Sequence, residues 1–326
     1  MATVIMSGAA GASVAENIGE SALSRVLELL PPALSLEISG AIAAEKRKGA
    51  SCAVEEIRLR ADRRVYLTVG AMGKKKNLPL SFLLPRDELT LIFERMCGGS
   101  LYAFGESIRR GFISLGGGVR VGICGRASLE GGRIRGIYDI SSLNVRLPCG
   151  VYRLECRLCE TIEKSLRDGL GVLIYSPPAE GKTTLLRSLC AYLSSKDRAM
   201  RVSVIDSRDE LGTFPHSSER SVDIMSGYPK PEAIFMATAF MNPEVIVCDE
   251  IGTLEESRAI LETQSSGVPL VASAHGDSLE GVLRRPQIRA LQDAAVFGLY
   301  VGIRISESGF DYVLHTREDA KRMIGA

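Results

Sequence analysis

Residues 171–186 read GVLIYSPPAEGKTTLL, and this stretch constrains the chain more than any other. An apolar run (Val172, Leu173, Ile174, Tyr175) meets a tight segment of Ser176, Pro177, Pro178, Ala179 and Glu180. Gly181, Lys182, Thr183 and Thr184 then open a helical pattern through Leu185, Leu186 and Leu189. Strand, loop and helix in that order give a GKT match structural meaning. Backbone N–H groups of such a loop converge with the helix N-terminus on a polyphosphate. Lys182 is placed to charge-balance the β and γ phosphates, and Thr183 to offer a hydroxyl to Mg²⁺. Ser176 stands where such loops usually begin with glycine, and Ala179 where many carry another. Serine can bend there at some conformational cost. The competing reading is an ordinary strand-to-helix turn with a chance GKTT.

A second motif argues against chance. Residues 244–250, EVIVCDE, form an apolar run that ends in two acids. On the strand next to the loop strand, Asp249 would join the metal shell beside Thr183, and Glu250 would polarise a water. The alternative is an exposed acidic pair after a strand. Asp206, after the β-branched run 201–205, and Glu210 could extend the metal or water network, or simply meet a helix N-terminus. His275, after the strand 269–274, could hydrogen-bond a γ-phosphate, or be structural. Ligands of open α/β sheets gather at the carboxyl ends of strands, where all four signals fall. Arg120, Arg126 and Arg146, upstream in glycine-rich and strand-like sequence, are candidates to offset transition-state charge, or are surface charges.

The length of 326 residues suggests two domains, and 45% hydrophobic residues suffice for sizeable cores. Residues 1–20 read as a mobile tail, 21–148 as a smaller α+β N-terminal domain, and 149–326 as the P-loop domain with a mainly parallel sheet. Strand–helix alternation from 172 to about 297 carries the last assignment. The first region combines helices from Ser21 and Leu34, strands at 54–60 and 65–69, a helix at 86–97, then short glycine-punctuated strands over 113–137. Forty basic and thirty-nine acidic residues leave a net charge of +1, which does not ask for a nucleic acid. No transmembrane helix or secretory signal is expected. The eight cysteines read as reduced core residues, with Cys156 and Cys159 one helical turn apart rather than half of a zinc site.

Six segments together resemble one family: VEEIRLRADRRVYL (54–67), SLYAFGESIRRGFISLGGGVRVGICGRA (100–127), ISSLNVRL (140–147), SPPAEGKTTLLRSL (176–189), VIDSRDELG (204–212) and PEVIVCDEIG (243–252). That is the stage III sporulation AA family, within the ATPases related to type II and type IV secretion motors. The resemblance implies a RecA-like core behind an N-terminal domain, ATP and Mg²⁺ as ligands, and a homo-oligomeric, hexameric ring. It implies a cytoplasmic place in the mother cell, beside membrane proteins of a sporulation channel complex. It puts Asp206 and Glu210 in an acidic box and His275 in a histidine box, and it lets Arg120, Arg126 or Arg146 reach phosphates.

The expectation is an ATP-hydrolysing motor or assembly ATPase. A nucleic-acid-dependent P-loop ATPase is the second reading, favoured by the basic clusters Lys46–Lys48 and Lys74–Lys76. A nucleotide-bound scaffold without turnover is the third.

Overall fold

The computed structural model describes residues 4–9, 15–48, 53–71, 74–148, 156–178, 180–195, 200–207, 210–211, 221–306 and 309–325. Two compact units divide the chain: Ala15–Gly150, and Met1–Val14 together with Val151–Ala326. The first strand, β1 (Val4–Ala9), belongs to the sheet of the second unit. The stretch expected to be a tail therefore contains this strand and the start of α1 (Ala15–Leu29).

In the unit Ala15–Gly150, Pro31 and Pro32 separate α1 from α2 (Pro32–Arg47). Proline suits the first turn of a helix, where its missing N–H has no intrahelical partner, so the pair ends one helix and starts the next. The sheet strands are β2 (Ala53–Arg60), β3 (Arg63–Ala71), β4 (Lys74–Leu84), then β5 (Phe112–Ser114), β6 (Arg120–Glu130) and β7 (Arg133–Arg146). Helices α3 (Arg86–Met96) and α4 (Gly105–Arg109) fall between β4 and β5. The order is β4-β3-β2-β7-β6-β5, antiparallel throughout. Ile57 lies opposite Leu67 on one neighbour and Val145 on the other, and all three are fully buried. They share a core with Leu34, Ile38, Leu89 and Ile92. The two-residue alternation of strands sends Arg58 and Arg60 to the opposite face.

The sequence does not announce β4, because KKKNLPLSFLL mixes charges with Pro79. As an edge strand it tolerates a residue without an N–H. Of the expected short strands over 113–137, the first is β5, and the rest join one long β6–β7 hairpin. Gly131 and Gly132 turn it with positive φ. Gly125 sits at a register shift where a Cβ would lie 2.6 Å from the Tyr138 carbonyl oxygen.

The second unit alternates α5 (Cys156–Arg167), β8 (Gly171–Ser176), α6 (Lys182–Leu193), β9 (Val202–Asp206), β10 (Val222–Ser226) and α7 (Lys230–Met236). It continues with β11 (Val245–Glu250), α8 (Leu254–Thr263), β12 (Leu270–His275), α9 (Leu279–Leu283) and α10 (Pro286–Asp293). The strands β13 (Phe297–Ser306) and β14 (Gly309–Thr316) and the helix α11 (Arg317–Gly325) close it. The order is β1-β14-β13-β8-β12-β11-β9-β10. Strands β13 through β10 pair in parallel, whereas β14 and β1 add antiparallel pairs at one side. Leu173, Tyr175, Ala272 and Ala274 pack with Ile234, Ile260, Leu283 and Leu291. Val172, Ile174 and Val271, also fully buried, must face the other way. Burial on both faces is why these strands read as unbroken apolar runs. Cys159, Cys190 and Cys248 are buried free thiols; the Cys156 side chain lies outside the described residues.

One expectation about order needs correction. The loop strand β8 is not next to the acidic strand β11, because β12 lies between them. Apolar runs locate buried strands but do not encode which neighbours they choose. Among the described residues, no helix is long and apolar enough to cross a membrane.

Candidate functional site

All six residues of β8 are buried, so the strand delivers its C-terminal end rigidly. Gly181 is the N-cap of α6 with φ +93°, and Phe310 Cε1 lies 2.8 Å from where its Cβ would be. Conformation and crowding both demand glycine there. Pro177 and Pro178 carry no N–H, so the loop's inward donors start beyond them. Ala179 lies outside the described residues.

Lys182 is only 7% exposed. Its Nζ donates to the Ser176 carbonyl at 2.7 Å, the Ser176 hydroxyl at 3.1 Å and the Pro177 carbonyl at 2.8 Å. The ammonium thus ties together the first half of its own loop. Burial pushes Lys182 down to about 8, against the pull of Glu250 and Glu180. Thr183 is half-buried in the first turn of α6, and buried Thr184 accepts the Ser188 hydroxyl at its carbonyl, 2.8 Å away.

On β12, His275 stands in register with Ser176, and the Gly276 N–H donates to the Ser176 carbonyl at 3.0 Å. His275 Nε2 lies 3.0 Å from Glu250 Oε2. The intervening strand therefore carries the contact between loop and acidic strand. Lys182 Nζ and the Gly276 N–H thus share the Ser176 carbonyl at the end of β8, and Glu250, paired with His275, acts on Lys182 electrostatically.

Asp249 has a different surrounding. Asp249 forms an ion pair with Lys230, whose Nζ is 2.6 Å from Asp249 Oδ1 and 3.1 Å from Glu256 Oε1. Lys230 also donates to the Glu250 carbonyl. Glu256 is itself anchored: it accepts the Gly252 and Thr253 N–H groups at 2.7 and 3.0 Å and completes a capping box on α8. Burial alone would push Lys230 down, but Cys248, Asp249 and Glu256 outweigh it and hold it above the usual lysine value. Glu256 is likewise pushed up by burial, yet the Gly252 N–H and Lys230 bring it below the usual carboxylate range. Lys230 was not legible as a site residue, since a lysine after Pro229 matches no motif.

Asp206 is fully buried and accepts the N–H groups of Glu210 and Leu211, each at 2.8 Å. Arg187 Nε donates to the Glu210 carbonyl at 2.9 Å. Asp206 thus anchors the chain after β9, and Glu210 is held by its backbone. Among the described residues, no group of three or more His, Cys, Asp or Glu could hold a metal ion. A magnesium ion carried by a polyphosphate needs little more than one protein hydroxyl, and Thr183 at the start of α6 fits that need.

Arg120, Arg126 and Arg146 belong to the unit Ala15–Gly150. The Arg120 guanidinium lies over the Phe112 ring at 4.7 Å, Arg126 pairs with Asp139 at 3.3 Å, and Arg146 with Glu56 at 3.7 Å. Four lysines of the basic clusters of that unit are also paired. Lys46 meets Glu20 at 2.7 Å, Lys48 and Lys76 meet Glu45 at 2.6 and 3.0 Å, and Lys75 meets Glu55 at 2.5 Å. Those pairings remove much of the charge a nucleic-acid surface would use.

Comparison with known proteins matches residues 33–310 to the family model described as "Sporulation stage III, protein AA". Stage III sporulation protein AA of Bacillus subtilis (strain 168) is 32% identical over 258 residues, 76% of this chain and 81% of that protein. Among solved structures, the pilus retraction motor PilT with bound ADP aligns with TM-score 0.55 at 16% identity, covering 82% of each chain. The Legionella pneumophila ATPase DotB aligns with TM-score 0.52 at 15% identity, covering 77% of this chain and 72% of that one. Identities this low establish a fold shared with these two proteins and no more.

Proposed function

The chain belongs to the sporulation stage III protein AA family, and from that membership we propose that it is an ATP-hydrolysing motor or assembly ATPase serving a channel complex at the forespore membrane. The observation that carries the reading is the Glu250–His275 pair at the ends of β11 and β12, with Lys182 held on the Ser176 carbonyl at the end of β8. Bound ATP with Mg²⁺ supplies the phosphoryl group and the charge to be neutralised. The N–H groups from Ala179 to Thr184 hold the phosphates. Lys182 exchanges its loop carbonyls for phosphate oxygens, and Thr183 supports the metal. Glu250 orients a water and accepts its proton, while His275 fixes the carboxylate. Asp249, Asp206 and Glu210 serve from behind, by holding the strand ends that carry these groups. One of Arg120, Arg126 and Arg146 adds positive charge to the transition state, in its own subunit or a neighbour. The working form is a homo-hexamer in the mother cell, docked on membrane proteins.

Purified protein tests this directly. ATP turnover is expected for the wild type and not for Lys182→Ala, with light scattering reporting ring size. A wild type that binds ATP without turnover would leave only the scaffold reading.

The lowered Lys182 adds a pH signature. Below about pH 8 the ammonium is charged and ready for phosphate; above it, binding the anion must first recharge the amine. ATP affinity is expected to fall as pH rises from 8 to 9.5, with proton uptake on binding. Lys182→Arg should flatten that slope, and calorimetry in buffers of different ionisation heat measures it.

A further inference from the structure

We propose that Glu180 is a charge brake inside the phosphate loop. Its carboxylate disfavours polyphosphate whose charge is not balanced by Mg²⁺, and so tunes which form of the nucleotide the loop accepts. The inference rests on the ATP-binding reading above and extends it to a side chain that the GKT motif leaves open. Glu180 directly precedes Gly181, the N-cap of α6, and stands two residues before Lys182. Backbone N–H groups at such a helix start attract anions. A carboxylate at this point opposes them.

Three observations set this acid apart. First, its buried oxygen does not hold the fold together. Among the described residues, Glu180 Oε2 is buried and has no hydrogen-bond partner. Other acids of this unit with little exposure are tied into the structure. Asp206 accepts two backbone N–H groups, and Glu256 accepts two and meets Lys230. Glu163 accepts from Arg167 and from the Tyr192 hydroxyl. A buried acceptor without a partner lowers stability, so its presence points to binding rather than to folding. Second, it acts on the phosphate-binding lysine. Burial works against the Lys182 ammonium, and Glu250 and Glu180 both act to keep it charged. Two carboxylates acting on one ammonium leave the loop little spare positive charge. Third, Lys182 and Ser176 are only 7% and 1% exposed, so water screens charges there poorly. Metal-free ATP brings more negative charge to this place than ATP with Mg²⁺, whose ion neutralises phosphate oxygens. Lys182 and Thr183 favour both forms of the nucleotide; repulsion by Glu180 scales with the charge left over and separates them.

Glu180→Gln keeps the size of the side chain and removes its charge. Calorimetric titration with ATP, once in EDTA and once with Mg²⁺, reads the effect. Metal-free ATP should bind the variant about tenfold more tightly than the wild type, and ATP with Mg²⁺ only about two- to threefold more tightly. The unliganded variant should melt at the wild-type temperature or above it. Glu280→Gln, an exposed acid of α9, controls for overall charge and should leave both affinities unchanged. Unchanged binding of both forms to Glu180→Gln would mean that the carboxylate does not meet the phosphates. An equal gain for both would mean that it does not discriminate by charge, and a loss for both that it props the loop. Any of these overturns the brake while leaving the nucleotide site intact. If neither the wild type nor Glu180→Gln binds either form, the ATP-binding reading itself falls, and the brake with it.

Discussion

Glu250→Gln is expected to lower the turnover number for ATP by roughly 10²–10⁴ while the nucleotide stays bound, the range typical of a lost general base. The amide keeps the shape of the carboxylate and can still meet His275 Nε2, 3.0 Å from Glu250 Oε2 in the wild type. It cannot take a proton from water. The fold should hardly notice, because this pair is partly exposed, with side-chain exposures of 36% and 22%, and such pairs contribute at most about 1 kcal/mol. The discriminating pattern is a collapsed kcat beside an unchanged dissociation constant and melting temperature. Hydrolysis near the wild-type rate would remove Glu250 from the chemistry. His275→Asn should lose less, since its part is to orient a carboxylate that remains present.

Lys230→Met is the second large effect, and it acts on stability. The side chains of Lys230, Asp249 and Glu256 are only 6%, 13% and 16% exposed. Removing the ammonium leaves two carboxylates facing each other in a poorly solvated place. Breaking a buried pair from one side typically costs about 3–5 kcal/mol. Urea unfolding of the wild type and the variant measures it. A surface pair supplies the control: Arg284→Met, opposite Glu280 on an exposed flank of α9, should change stability by less than about 1 kcal/mol. Adding Asp249→Asn to Lys230→Met should recover part of the loss, because the double variant no longer strands that charge. If Lys230→Met is as benign as the surface control, the trio is a solvated cluster and not an anchor.

The parts of the molecule that the sequence made plain are those where one element meets its demands locally. An apolar run buried on both faces can hardly be anything but an inner strand, so β8, β9, β11 and β12 were legible, as was the acid, histidine or loop at each end. The Gly181 turn was legible because backbone geometry and residue type coincide there. Partnership across the fold was not. Lys230 acquires its meaning from Asp249 and Glu256, which reach it only after β11 and α8 have packed. Asp206 reads in VIDSRDELG as either part of a metal or water network or a helix N-terminal acid, and the turn its two oxygens close with the backbone of Glu210 and Leu211 is not spelled out there. The place of β12 between β8 and β11 is a property of the whole sheet. Edge strands escaped for a related reason: among the described residues β4 and β10 end their sheets, and charged or polar residues break up their apolar ones.

The opening strand has a consequence for dissecting the molecule. β1 is hydrogen-bonded along β14 from Val4 opposite Leu314 to Ala9 opposite Gly309. A fragment cut to begin at Val151 would retain the whole phosphate loop, yet it would strip that cover and bare a ready row of amide and carbonyl groups. Bare rims of this kind recruit other chains. Such a fragment should self-associate through β14, and restoring the first residues as a separate peptide should suppress the clumping.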